Sequence, residues 1–189
     1  GRFDAGVEGA SPVQVLAQVV AMSAGSRHTV AVRADGTLWA WGDNTWGQLG
    51  TGTSGGSSAA FDKGVDEARP VRVLAGVTAA YAGSGRTMAI KTGGTLWAWG
   101  SGILGNGSTQ GSVQPVQVLD QVTGLCLGSS HTLAIRSDRS LWGWGSNFLG
   151  QMGKGNATDS SYLSPVKLMD NVRWGSAEEG FSLAVKSDG

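Results

Sequence analysis

The feature that most constrains this chain is that it writes one unit almost four times. SAGSRHTVAVRADGTLWAWG (23–42) returns as YAGSGRTMAIKTGGTLWAWG (81–100) and as CLGSSHTLAIRSDRSLWGWG (126–145), and a partial copy, SAEEGFSLAVKSDG, occupies 176–189. A Pro-Val pair precedes each copy, at Pro12, Pro70, Pro115 and Pro165. Similar segments fold alike, and a unit this short cannot bury an apolar face alone, so the copies must stack. From the proline to the Leu-Trp pair there are 26 positions in every full copy, whereas Leu-Trp to the next proline takes 32, 19 and 24. Length variation is thus confined to one loop on a rigid framework. The units divide the chain into repeats at 12–69, 70–114, 115–164 and, partially, 165–189, with 1–11 reading as the tail of a preceding unit's loop.

Each framework reads as short β-strands, at Val13–Leu16, Val19–Ala24, Thr29–Arg33 and Leu38–Trp41 in the first copy. They are rich in Val, Leu and Trp and are separated by Gly, Asp and Ser. Asp35-Gly36 predicts a two-residue hairpin turn, matched by Gly93-Gly94, Asp138-Arg139 and Asp188-Gly189, of which the Arg139 copy is least suited. No segment keeps a 3.6-residue apolar period for three turns, so helix should be scarce. Ala31, Ala89, Ala134 and Ala184 share one repeat position, and Trp41, Trp99 and Trp144 share another. A constant small residue and a constant indole predict a knob-and-recess contact between neighbouring sheets. Radially repeated four-stranded sheets are an all-β design, the β-propeller.

Composition narrows the function. Fourteen basic residues balance fourteen acidic ones (Lys+Arg 14, Asp+Glu 14), which argues against nucleic acid as a partner, because polyanion binding draws on a Lys/Arg excess. No apolar run approaches the ~18 residues of a membrane span. Cys126 is the single cysteine, which excludes an internal disulfide and a Cys-based zinc cluster.

The residues Ala24-Gly25, His28-Thr29, Asp35-Gly36, Leu38-Trp39, Trp41-Gly42 and Gly47-Gln48-Leu49-Gly50 together resemble the repeat of the regulator of chromosome condensation family. His131-Thr132, Trp144-Gly145 and Gly150-Gln151-Met152-Gly153 repeat the match, and the Leu-Trp-Ala-Trp-Gly wording is similar to bacterial members. The resemblance implies a seven-bladed propeller, of which this chain would supply about three and three-quarter blades. It therefore implies either a fragment of a longer propeller or a half that closes as a homodimer. The departures are specific: the second copy loses the Gly-Gln pair after Trp99-Gly100, and Glu178 stands where the other copies carry Gly25, Gly83 and Gly128.

No chemistry-bearing set stands out. His28 and His131 have Arg86 and Phe181 as repeat equivalents, so a structural role, supporting a turn by hydrogen bonding, outweighs catalysis or metal binding. Asp35, Asp138 and Asp188 sit one per unit at turns, where aspartate is favoured for backbone reasons. Cys126 lacks a neighbouring base and reads as a structural thiol. The glycine-rich stretches TGTSGGSS (51–58) and GNGSTQGS (105–112) lack a P-loop ending and read as flexible connections. Asn106 and Asn156 open sequons that chance explains equally well. Arg33, Lys91, Arg136 and Lys186 end one strand in each unit, more as solvated strand ends than as a ring for an acidic partner.

The expectation is a non-enzymatic module with no cofactor and no metal that binds an unidentified protein through its variable loops. Trp46, Phe61, Asp62, Asp66, Glu67, Arg69 and Phe148 are the candidate contacts, as exposed aromatics and charges on or beside those loops. Carbohydrate binding through an exposed indole is the rival reading, and the resemblance adds GTPase regulation or inhibition of a secreted enzyme. An extracellular or cell-surface setting is favoured over the cytoplasm, because the bacterial relatives it resembles are often exported.

Overall fold

The computed structural model describes residues 12–55, 66–155 and 161–189. Among the described residues there are fourteen strands and no helix. The first sheet is a four-stranded antiparallel meander of β1 (Val19–Ala24), β2 (His28–Arg33), β3 (Leu38–Gly42) and β4 (Glu67–Leu74). The second repeats it with β5 (Val77–Ala82), β6 (Arg86–Lys91), β7 (Leu96–Gly100) and β8 (Ser112–Leu119). The third uses β9 (Val122–Leu127), β10 (His131–Arg136), β11 (Leu141–Ser146) and β12 (Ser161–Met169). A fourth, two-stranded sheet pairs β13 (Val172–Ala177) with β14 (Ser182–Lys186). These sheets are propeller blades.

The blades are offset from the sequence repeat by one strand. The Pro-Val segments of β4, β8 and β12 close the blade before them rather than opening their own. Each is hydrogen-bonded to the Leu-Trp strand of that preceding blade, at an edge where proline's missing donor does least harm. Val13–Leu16, the first such segment, is not a strand.

The hairpin between β2 and β3 is longer than the two residues expected. Arg33 N bonds Thr37 O, so Ala34, Asp35 and Gly36 form a three-residue loop, and of Asp35 and Gly36 only the glycine takes a positive φ, 75°. Asp35 instead caps the turn, its carboxylate accepting the Thr37 amide at 3.0 Å and the Thr37 hydroxyl at 2.6 Å. Those bonds hold the Asp35 carboxyl below the usual range, led by the hydroxyl, and the same holds for Asp138 with Ser140. Arg139 occupies the glycine position with φ 63°, a conformation that works against any side chain with a Cβ.

Three apolar cores lie between blades, the smallest joining Leu133 and Leu141 to Val172 and Ala177; the other two are larger. One joins Val30, Val32, Leu38, Ala40 and Leu49 of the first blade to Val77, Ala89 and Trp99 of the second. The other joins Met88, Ile90, Leu96, Ala98 and Leu104 to Val122, Leu125, Ala134 and Trp144. The expected alanine-to-indole contact is therefore corrected: Ala89 and Trp99 lie on one face of the same blade, and both face the preceding one. The alanine leaves room for the neighbour's Val30 and Val32, while the indole enters the neighbour's loop. Ala31, Ala89 and Ala134 are buried, but Ala184 is exposed because no third strand flanks β14 among the described residues. Trp99 and Trp144 are fully buried, whereas Trp41, on the outer face of the first blade, is only half-buried.

The turn position gives a paired prediction. Gly36→Ala should destabilise the chain by about 1 kcal/mol, and Arg139→Gly should stabilise it by about the same amount, since one adds and the other removes a left-handed non-glycine residue. Urea unfolding of the two variants measures both signs.

Candidate functional site

Chemical interest concentrates at the seams between blades. At the first seam a four-residue relay crosses from one sheet to the next. Thr87 Oγ1 donates to the Gln48 carbonyl at 2.7 Å, and Trp99 Nε1 donates to the same oxygen at 2.9 Å. His28 Nε2 lies 2.8 Å from Thr87 Oγ1. The threonine's only proton is committed to Gln48, so the histidine must donate through Nε2–H, which leaves Nδ1 as a bare lone pair. That atom is buried without a partner. Protonating it would place a charge and an unmet donor in the seam. Burial accordingly pushes the His28 imidazole down to about 4, with the Asp43 carboxylate opposing only in part.

The histidines thus act across blades rather than on a turn of their own, which corrects the expected role. His131 Nε2 makes the matching contact to Ser182 Oγ at 2.9 Å, and its pKa is lowered by burial and by the nearby Arg86 charge. A glycine lies beneath each ring: a Cβ on Gly25 would sit 2.7 Å from the His28 ring, and one on Gly128 would sit 2.5 Å from that of His131. Glu178 and Phe181 replace glycine and histidine together in the fourth copy, whereas the second keeps Gly83 beside Arg86.

The middle seam is built differently, for a reason visible in the deletion after Gly100. Without the glutamine loop, no carbonyl meets the next indole, and Trp144 Nε1 and Thr132 Oγ1 are buried without hydrogen-bond partners. Arg86 replaces histidine and spans the gap. Its Nη1 donates to Ser129 O at 3.0 Å, and its Nη2 donates to Gly128 O at 2.6 Å and His131 O at 3.0 Å. Burial lowers this guanidinium to about 10, so it stays charged at neutral pH.

The loops after β3 and β11 are pinned from within. Asn44 accepts the Leu49 amide through Oδ1 at 3.0 Å, and Gln48 accepts the Trp46 amide through Oε1 at 2.8 Å. Asn147 and Gln151 do the same for Met152 and Leu149, both at 2.9 Å. All four side chains are buried. Asp43 completes the first loop. Burial would raise its carboxyl, but the Thr45 hydroxyl and amide and the Gln48 amide donate to it and hold it below the usual range. Sequence reading took the Gly-Gln pair as a family mark and overlooked Asp43, Asn44 and Asn147. The signal for the two asparagines was their recurrence three residues after the tryptophan of Trp-Gly, at 44 and 147.

Of the candidate contacts, Trp46 and Phe148 stand on these pinned loops, 52% and 66% exposed. One ring edge of Trp46 lies against Gly85 of the next blade, and the rest faces solvent. Asp66 is exposed and accepts the Asn44 amide at 3.0 Å, so it closes the first loop as well. Glu67 and Arg69 belong to β4, not to the loop, because that strand begins three residues before Pro70. Phe61 and Asp62 lie outside the described residues.

The remaining candidates are occupied within the fold. Arg33 and Arg136 bond the connector carbonyls of Ala17 and Asp120, and with Lys91 they lie over Trp39, Trp142 and Trp97 of their own blades. The Cys126 thiol donates to Gly175 O of the next blade at 2.9 Å, and burial pushes its pKa up. Clefts on the opposite, turn-bearing side have hydroxyls at Thr78, Thr92 and Thr123, each donating to a carbonyl of its own blade. No group of three or more metal-ligating side chains occurs among the described residues.

These features define a class: a stack of propeller blades joined at their seams by recurrent side-chain bridges, with pinned loops on one side. The Regulator of chromosome condensation (RCC1) repeat matches residues 19–48 and 122–151 in one form and 35–90 in another, more than half of the chain in all. The chain belongs to that family. It is 34% identical over 102 residues to the human E3 ubiquitin-protein ligase HERC2, covering 49% of this chain and 2% of that protein. It is 33% identical over 88 residues to the Ultraviolet-B receptor UVR8 of Arabidopsis thaliana, covering 44% of this chain and 18% of that one. Human WBSCR16 superposes with a TM-score of 0.73 at 22% identity, and Prp20p of Saccharomyces cerevisiae with 0.74 at 19%. Each superposition takes in 89% of this chain and 44% of the other, so the chain spans less than half of either structure.

Two predictions follow from the seams. Trp99→Phe should cost about 1 kcal/mol more than Trp144→Phe, because only Trp99 loses a hydrogen bond; chemical denaturation of the two variants compares them directly. Stability should also fall as pH drops from 6.5 toward 4. The unfolded chain takes up a proton at the ordinary histidine value, whereas folded His28 does not until about 4, a difference of about 3 kcal/mol when complete. The carboxylates with lowered pKa values act only below that window, near and under their ordinary value of 3.8. Unfolding midpoints between pH 7.5 and 4.5 isolate the histidine contribution, which His28→Asn should diminish.

Proposed function

We propose that this chain is a protein-interaction module that binds a partner protein on the side carrying the loops after β3 and β11, and that it performs no chemistry itself. One observation carries the reading: Trp46 and Phe148 remain more than half exposed on loops whose buried amides, Asn44, Gln48, Asn147 and Gln151, fix the backbone beneath them. A large apolar side chain on a rigid loop offers contact area at little ordering entropy, which is what an interface anchor requires. Asp66 and the charges of β4 would lie at the rim. The titratable groups are committed to the fold: His28 and His131 to seams, Asp35 and Asp138 to turns, and Cys126 to a carbonyl. Membership in the RCC1 family supports the reading, and Prp20p, a similar fold, is described with binding to Gsp1p and histones. The identity of the partner here is left to experiment.

Capture of binding proteins on the immobilised chain, followed by titration of the captured partner, tests the proposal. Trp46→Ala with Phe148→Ala should weaken that partner by about tenfold or more while leaving the unfolding midpoint within about 1 kcal/mol of the parent. Unchanged affinity would overturn the loop assignment. A specific response on a glycan array that Trp46→Ala abolishes would replace the protein partner with a sugar.

A further inference from the structure

On the turn-bearing side, opposite the loops, two successive seams carry the same cleft with different chemistry. We propose that the cleft at the third seam, lined by Arg136, Arg139 and Arg173, binds a small phosphomonoester dianion.

The two clefts match position by position. Lys91, Gly94 and Thr123 line the one at the second seam where Arg136, Arg139 and Arg173 line the one at the third. Their backbone frame is common: the Val122 amide donates to Gly94 O at 2.8 Å, and the Val172 amide to Arg139 O at 2.9 Å. The second-seam cleft opens between two complete four-stranded blades. The opening is therefore a property of the seam and does not arise from the two-stranded fourth sheet. At the first seam the same positions hold Arg33, Gly36 and Thr78, and Arg33 has the Asp35 carboxylate 3.7 Å away. What the third seam adds is charge, with three guanidinium groups where the other two seams place a single cation.

Arg139 costs the fold something to keep. It takes φ 63° where Gly36 and Gly94 take 75° and 82°, and a Cβ works against that backbone. Strain of this kind collects at ligand sites. Its Nη1 donates to Ser187 Oγ across the seam at 3.3 Å. Arg136 is set from the other side, with Nε on Asp120 O at 3.0 Å, Nη2 on Gln121 Oε1 at 2.8 Å and the Trp142 ring beneath. Arg173 is exposed near the start of β13. No carboxylate lines the cleft: Asp138 accepts the Ser140 amide and hydroxyl, and Asp188 pairs with Lys186. Arginine forks suit the oxygens of a phosphate, and a monoester near neutrality presents close to two charges on three acceptor oxygens. The cavity of about 550 Å³ has the size of a small-molecule site, and Ile135 and Val172 give its lining an apolar part for the ester group.

The probe is phenyl phosphate, titrated into the full chain by calorimetry at fixed ionic strength, with amide NMR locating the site. Saturable heat is expected, with shifts at Arg139, Arg173 and Ser187 and none at Lys91 or Gly94. Arg139→Gly is the deciding variant, because it restores the residue of the first two copies. It should raise the unfolding midpoint and yet weaken binding by about tenfold or more. Arg173→Gln should weaken binding similarly with the midpoint unchanged. No saturable heat, or binding that both substitutions leave intact, would overturn the proposal. So would displacement of the probe by an equal concentration of chloride, which would reduce the cleft to a patch of diffuse charge. An alanine-rich phosphoserine peptide that binds about tenfold more tightly than the probe would also overturn it, by giving the cleft to a modified protein segment.

Discussion

The structure depends on one oxygen and what converges on it. The carbonyl of Gln48 accepts both the Thr87 hydroxyl and the Trp99 indole across the first seam. Blades are marginal as isolated sheets, since each has two apolar faces and a meander of short strands. What gives the stack its order is that the apolar faces of adjacent blades cover one another, and that the covering is indexed by polar contacts at fixed places. Apolar packing alone would let one sheet slide or rotate over its neighbour. A buried indole with a single directed N–H, and a histidine whose tautomer is fixed by the threonine it meets, permit one alignment only.

The middle seam shows how far that arrangement bends. Removing three residues after Gly100 takes away the glutamine carbonyl, and two buried polar atoms lose their acceptor or donor in consequence. The longer Arg86 replaces a histidine at the same junction and gathers three backbone carbonyls of the following blade. Loop length and side-chain length vary together, so the seam stays closed although its chemistry differs. A buried guanidinium held only by carbonyls is a more demanding solution than a neutral imidazole, and that accounts for its use where the loop is short.

Function, on this reading, follows from the same economy. The residues that usually carry chemistry are engaged in holding blades and turns, which leaves the rigid loops as the surface available to a partner. Two large side chains, Trp46 and Phe148, emerge from loops whose buried amides fix the backbone.

Much of this was legible in the sequence, because repetition removes ambiguity. A Leu-Trp-x-Trp-Gly segment written three times can only be the same strand three times. Most strand positions, the absence of helix among the described residues, the structural character of His28 and His131, and the turn role of Asp35 all follow from local periodicity and local hydrogen bonding. What repetition cannot reveal is which copy touches which. The Pro-Val strand belongs to the blade before it, Ala89 and Trp99 share one face, and His28 reaches Thr87 fifty-nine positions away. These are facts about the stacking of sheets, fixed by packing between segments far apart in the chain, and a local pattern is identical whichever neighbour it meets. The sequence by itself determined the blade; only the tertiary structure decided the seam, because a seam exists only where two blades meet.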